Sequence, residues 1–91
     1  MAVSAEREFD ILNRLGLHAR AAAQLVRLAN GFASEIRIAK DGMEVNGKSI
    51  MGLMMLAAGL GSKLTITCEG ADAEKALAEI EALILRKFDE D

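Results

Sequence analysis

The chain has 91 residues, room for one domain and one modest core. It is 52% hydrophobic, too apolar for a disordered chain, yet has no Trp or Tyr and 3 Phe, so Leu, Ile, Val, Met and Ala must build the core. A net charge of -3 argues against a nucleic-acid binder, because phosphate backbones attract faces rich in Lys and Arg. Residues 1–91 therefore read as a single acidic globular domain. The lone Cys68 excludes an internal disulfide, fits a reducing cytoplasm, and reads as a small residue in a strand. One Cys and one His cannot close a zinc site, and no cofactor is expected. Met1-Ala2-Val3-Ser4-Ala5-Glu6-Arg7 shows no basic region followed by an apolar run, so no signal peptide is expected. The apolar stretch from Ile50 to Leu60 is interrupted by glycine and too short to span a bilayer, so no membrane insertion is expected.

In chain order, Glu8 to Leu12 partly alternates and reads as a strand. Asn13 to Leu17 is a loop. From Ala19 to Ala29 the residues Ala22, Leu25, Val26 and Ala29 recur at three-and-four spacing, which predicts an amphipathic helix with Arg20, Gln24 and Arg27 off the stripe. Asn30-Gly31 should end it in a left-handed cap. Glu35 to Lys40 alternates as a half-buried strand, Asp41-Gly42 signals a two-residue hairpin turn, and Met43 to Asn46 returns as its partner. Ser49 can cap a short helix from Ile50 to about Ala57, closed by Gly59 and Gly61. Lys63 to Glu69 alternates again, with Leu64, Ile66 and Cys68 on one face. Asp72 can cap a last helix with the stripe Ala76, Leu77, Ile80, Leu83 and Ile84. Glu74 in its first turn and Arg86 and Lys87 in its last suit the helix dipole.

The order is β-α-β-β-α-β-α. Alternating strands have one polar face, so the sheet should be covered by helices on one side only. This defines an α+β, open-faced sandwich of two layers. A ferredoxin-like split βαβ arrangement has nearly the same order. Architecture alone assigns no function.

Chemistry concentrates at Leu15-Gly16-Leu17-His18-Ala19-Arg20. His18 is the only histidine and stands where a glycine-containing loop meets a helix. A helix start offers unpaired N–H groups and the positive end of the dipole, a ready anion site. Arg20 places a guanidinium beside the same spot, and its fork suits phosphate oxygens. A neutral imidazole is a nucleophile near pH 7. Taken alone, a histidine here could equally be a simple cap of the helix mouth.

Gly16-Leu17-His18-Ala19-Arg20 resembles the phosphorylation motif of the histidine-containing phosphocarrier family, HPr, of the phosphotransferase system. Gly47-Lys48-Ser49-Ile50-Met51-Gly52-Leu53 resembles that family's regulatory serine region, at a matching separation, and the likeness runs from about Glu6 to Phe88. The resemblance implies a four-stranded antiparallel sheet with three helices on one face. It implies a cytoplasmic bacterial carrier in sugar transport or its regulation, not an enzyme with turnover of its own. Enzyme I, charged from phosphoenolpyruvate, would phosphorylate His18 on Nδ1, and an enzyme IIA-type acceptor would take the group. Arg20 and the backbone amides of Ala19 and Arg20 would hold the phosphoryl group. Ser49 would be the target of an HPr kinase/phosphorylase. A monomer suits a carrier that presents one face to several partners.

Ala21 departs from the proline usual after the motif's arginine. Alanine has an N–H, and we expect it to contact the His18 ring or its phosphoryl group. The Ala21-Ala22-Ala23 run and the Phe88-Asp89-Glu90-Asp91 tail look more like the nitrogen-related branch of the family. In the segment Ile50 to Leu56, Leu53 and Leu56 are the better core candidates. Ile50, Met51 and Met54 are then left as a docking patch, with Arg27 and Lys48 as a positive rim. Three other readings compete: a regulatory interaction module controlled by Ser49 phosphorylation with His18 idle, a small-ligand sensor on a ferredoxin-like fold, and an autonomous hydrolase. The presence of Arg20 beside His18 disfavours the first, and no residues suggest a pocket for the others.

Overall fold

A computed structural model describes residues 3–90. Met1, Ala2 and Asp91 lie outside it, and with them the start of the amino-terminal reading and the end of the acidic tail. The elements are β1 (Ser4–Asp10), α1 (Ala19–Ala29), β2 (Glu35–Lys40), β3 (Met43–Asn46), α2 (Ile50–Met55), β4 (Lys63–Glu69) and α3 (Ala73–Leu85), followed by a tight turn over Lys87–Asp89. All strand pairs are antiparallel, in the order β1-β4-β2-β3. The sheet is four-stranded and the three helices lie on one face, as the resemblance implies.

Strand period explains the two faces. Phe9, Leu64, Ile66, Cys68, Ile36 and Ile38 point toward the helices and are buried. They meet across the ladders as Phe9 beside Leu64, Ile36 beside Cys68 and Ile38 beside Ile66. The other face is polar. There Arg37 lies within 3.3, 3.9 and 3.6 Å of Glu35, Glu44 and Glu69, and the Thr67 hydroxyl donates to Glu6 at 2.8 Å. The apolar stripes of α1 and α3 cover the buried face: Ala21, Ala22, Leu25, Val26 and Ala29 from α1, and Ala73, Ala76, Leu77, Ile80, Leu83 and Ile84 from α3. Each Leu or Ile so buried contributes roughly 1.5–3 kcal/mol. At the sheet edge, Arg7 of β1 meets Glu81 of α3 at 2.7 Å.

Several local expectations need correction. β1 begins four residues earlier than the alternation suggested and stops at Asp10, although Ile11 is still buried. Asn30 is right-handed (φ -66°), so no left-handed cap ends α1; the Gly31 and Phe32 amides instead donate to Leu28 and Ala29 in a tightened last turn. α2 ends at Met55 rather than Ala57, and Ala57 itself takes the left-handed conformation (φ 49°). Asp72 makes no cap bond to α3: its carboxylate accepts from the Ala33 and Ser34 amides and the Ser34 hydroxyl, tying the α1–β2 loop to the start of α3. Arg86 and Lys87 fall beyond the last turn of α3. The hairpin expectation holds, with Asp41 and Gly42 both at positive φ as a type I′ turn requires.

Candidate functional site

The loop from β1 to α1 is moored to the loop that follows α2. The Leu17 amide donates to the Ala58 carbonyl at 2.8 Å, and the Ile11 amide to Ser62 at 2.8 Å. Gly16 stands at the closest approach. Its φ is +65°, and a Cβ there would lie 2.4 Å from the Ala58 oxygen and 2.7 Å from the Gly59 Cα. No side chain fits both the conformation and the gap. This mooring sets where His18 emerges.

His18 is the N-cap of α1, in extended backbone (φ -74°, ψ 178°). Its side chain makes no cap bond, and the first turn holds no acidic residue. The opening N–H groups of Ala19, Arg20 and Ala21 thus receive no side-chain acceptor from the cap. The expected contact between the Ala21 N–H and the His18 ring is therefore absent: the ring turns toward the carboxy-terminal tail instead. There His18 Nε2 lies 3.4 Å from Glu90 Oε1, with the imidazole 29% and the carboxylate 16% exposed. Arg20 is exposed and makes no ion pair among the described residues. A half-open imidazole, uncapped helix amides and an unpaired guanidinium together form a site for an incoming anion.

Glu90 is a neighbour that the sequence did not disclose. Its Oε1 also accepts from the Asn13 amide at 2.8 Å, and its Oε2 from the Leu15 N–H at 3.1 Å. Asn13 is 1% exposed and uses its second N–H on the Gly16 carbonyl at 2.7 Å. The Asn13 amide above all holds the Glu90 carboxyl below its ordinary range; burial opposes it, and the Leu15 N–H and the neighbouring His18 add to the lowering. The one available signal was Phe88, an apolar residue stranded past the end of a helix.

α2 packs against α1 beside this site. Leu53 and Leu56 are buried, while Ile50, Met51 and Met54 are 44%, 79% and 44% exposed, the division expected from their spacing. Met55, Leu15 and Leu60, at 66%, 62% and 62%, extend the apolar surface and were not foreseen. Ser49 caps α2 by accepting the Gly52 N–H at 3.0 Å. Of the expected positive rim, the Lys48 ammonium donates to the Phe32 carbonyl at 2.8 Å, past the far end of α1. Arg27 is exposed seven residues beyond Arg20, about 10 Å along the helix.

An open-faced sandwich with a lone histidine at an uncapped helix start is a small protein that can hold an anion beside a nucleophilic ring. The family described as the PTS HPr component phosphorylation site matches residues 5–86. An HPr of Cupriavidus necator is 47% identical over 93% of this chain and 96% of its own. A phosphocarrier protein NPr of Shewanella violacea is 46% identical over 93% of each. Two solved HPr structures from Thermoanaerobacter tengcongensis are similar: one with TM-score 0.92 at 42% identity, covering 96% of this chain and 98% of its own, and one described as a dimer with TM-score 0.77 at 44%, covering 90% and 94%. The chain belongs to the HPr family of phosphocarrier proteins of the phosphotransferase system. Among the described residues no helix is long and apolar enough to cross a membrane.

Proposed function

We propose that His18 accepts a phosphoryl group on Nδ1 from enzyme I and yields it to an enzyme IIA-type acceptor, in sugar transport or its regulation. The observation that supports this most is the uncapped start of α1 beneath a half-exposed imidazole, with Arg20 free beside it. The Ala19 and Arg20 amides hold two phosphoryl oxygens, and the Arg20 guanidinium balances their charge. The Ala21 N–H is a third donor toward the phosphoryl group in the phosphorylated state. The exposed residues Ile50, Met51 and Met54 form the docking patch that donor and acceptor use in turn. Incubation with enzyme I and phosphoenolpyruvate should add one acid-labile phosphoryl group by intact mass, and His18→Ala should abolish it. A wild-type chain that stays unmodified sinks the reading.

Ser49 supports a regulatory second layer. Its hydroxyl already sits at a helix start, where a phosphate is favourably placed on the backbone dipole and would repel acidic partners from α2. Treatment with an HPr kinase/phosphorylase should then add phosphate in the wild type and not in Ser49→Ala.

A further inference from the structure

The end of the chain is folded at a cost. After α3 the Arg86 amide still donates to Ala82, but Lys87, Phe88 and Asp89 then all take positive φ (56°, 54° and 57°). Three consecutive non-glycine residues in the left-handed region are costly, and such a run persists only where the surroundings over-determine it. Here two anchors do so. Phe88 is 3% exposed, sunk into the core, and the turn is closed by the Asp89 amide on Arg86 and the Glu90 amide on Lys87, each at 2.9 Å. Beyond the turn, Glu90 lands on the β1–α1 loop, where Asn13 and Leu15 grip both carboxylate oxygens.

We propose that Glu90 is a positioning residue for His18, a carboxylate delivered by the left-handed turn to accept the Nε2–H and so present Nδ1 to the phosphoryl donor. The inference rests on His18 being the phosphoryl acceptor. A carboxylate fixed beside one ring nitrogen selects the tautomer that protonates that nitrogen, leaving the lone pair on the other. Asn13 and Leu15 set the carboxylate independently of the histidine, so the orientation is built before a partner arrives. The 3.4 Å contact is long for a hydrogen bond, as contacts in unloaded sites often are before they tighten on reaction. Arg14 and Lys87 line the same cleft as Asn13 and Glu90, and Arg20 is exposed in the first turn of α1, two residues on from His18.

The step balances as follows. The Nδ1 lone pair attacks phosphorus, the donor's bond to phosphorus breaks, and its electron pair leaves with the donor. The ring then holds phosphorus on Nδ1 and its original proton on Nε2, and is cationic. Glu90 faces that Nε2–H and stabilises the cationic ring. On onward transfer the Nδ1–P pair returns to the ring, which becomes neutral again. Glu90 therefore favours the loaded carrier over the empty one.

Because His18 is the only histidine, ring 15N labelling gives one unambiguous set of signals. In the wild type above pH 8, the Nε2–H form alone should appear, with a ring proton protected from solvent exchange. In Glu90→Ala the Nδ1–H form should appear beside it, with ring-proton exchange at least about tenfold faster, because an accepting carboxylate that screens the proton is gone. The loaded-to-empty ratio at equilibrium with phosphorylated enzyme I should fall about two- to fivefold, the range of a partly exposed ion pair. Asp89→Asn, which removes a neighbouring charge but not the contact, should leave all three readouts unchanged. Equal ring signals in wild type and Glu90→Ala overturn the proposal, as does an unchanged transfer equilibrium. If the ring signals respond but the wild type never takes phosphate, the carrier reading fails and the ring contact stands.

Discussion

At Gly16 a single missing Cβ decides where the histidine loop can run. Gly16→Ala would need both a left-handed alanine and a shift of the Ala58 carbonyl, which stands 2.4 Å from the added carbon. We expect a loss of about 2–4 kcal/mol in urea unfolding. Gly59→Ala is the internal control: nothing lies within 4 Å of its added carbon, so its stability should stay within about 0.5 kcal/mol of wild type. A second residue effect is acid lability. The Ser34 hydroxyl above all, then the Ala33 N–H, pulls the Asp72 carboxyl below its ordinary value of 3.8. A depressed carboxyl contributes stability that is present above the unfolded value and lost as pH falls through the lower folded one. Unfolding midpoints should therefore drop below about pH 4, and Asp72→Asn should flatten that part of the profile.

At the scale of the element, α2 carries a buried side and an exposed apolar side on one short helix. Leu53 is fully buried, whereas Met51 is 79% exposed. Met51→Glu should leave the melting temperature nearly unchanged and raise the KM for phosphorylation by enzyme I about tenfold, since burying an unpaired carboxylate in an apolar contact costs at least a kcal/mol or two. Unchanged kinetics would remove α2 from the docking face. The same helix shows what periodicity can reveal. Spacing alone separated Leu53 and Leu56 from Ile50, Met51 and Met54, because a helix over one sheet face buries only one stripe. The caps were less legible. Ser49 caps α2 as its residue type suggests, but Asp72 and Asn30 do not behave as isolated helix ends would. Asp72 finds three donors in the α1–β2 loop, a site that exists only once distant segments have met.

For the whole molecule, the sheet places β4 between β1 and β2, so the central pairings join segments far apart in the chain. Ile66 sits at that centre, paired with both Arg7 and Ile38 and fully buried. Ile66→Ala should cost about 2–5 kcal/mol, read as a lower urea midpoint, while phosphoryl acceptance persists wherever the protein remains folded.

Seven elements, the buried stripes and the position of His18 at a helix start were readable from the residues in order. Each follows from local period, turn chemistry or a short motif, which act over a few neighbouring residues. The tertiary structure decided what lies around the histidine. Only long-range packing brings Ala58 against Gly16, sets Lys48 on the Phe32 carbonyl, and bends the tail through three left-handed residues onto Asn13 and Leu15. Glu90 is 72 residues from His18 in the chain and 3.4 Å from it in space. Apart from the apolar Phe88, no pattern in the residues between them points to that contact, because it is made by the core that buries Phe88 rather than by any preference of the tail itself.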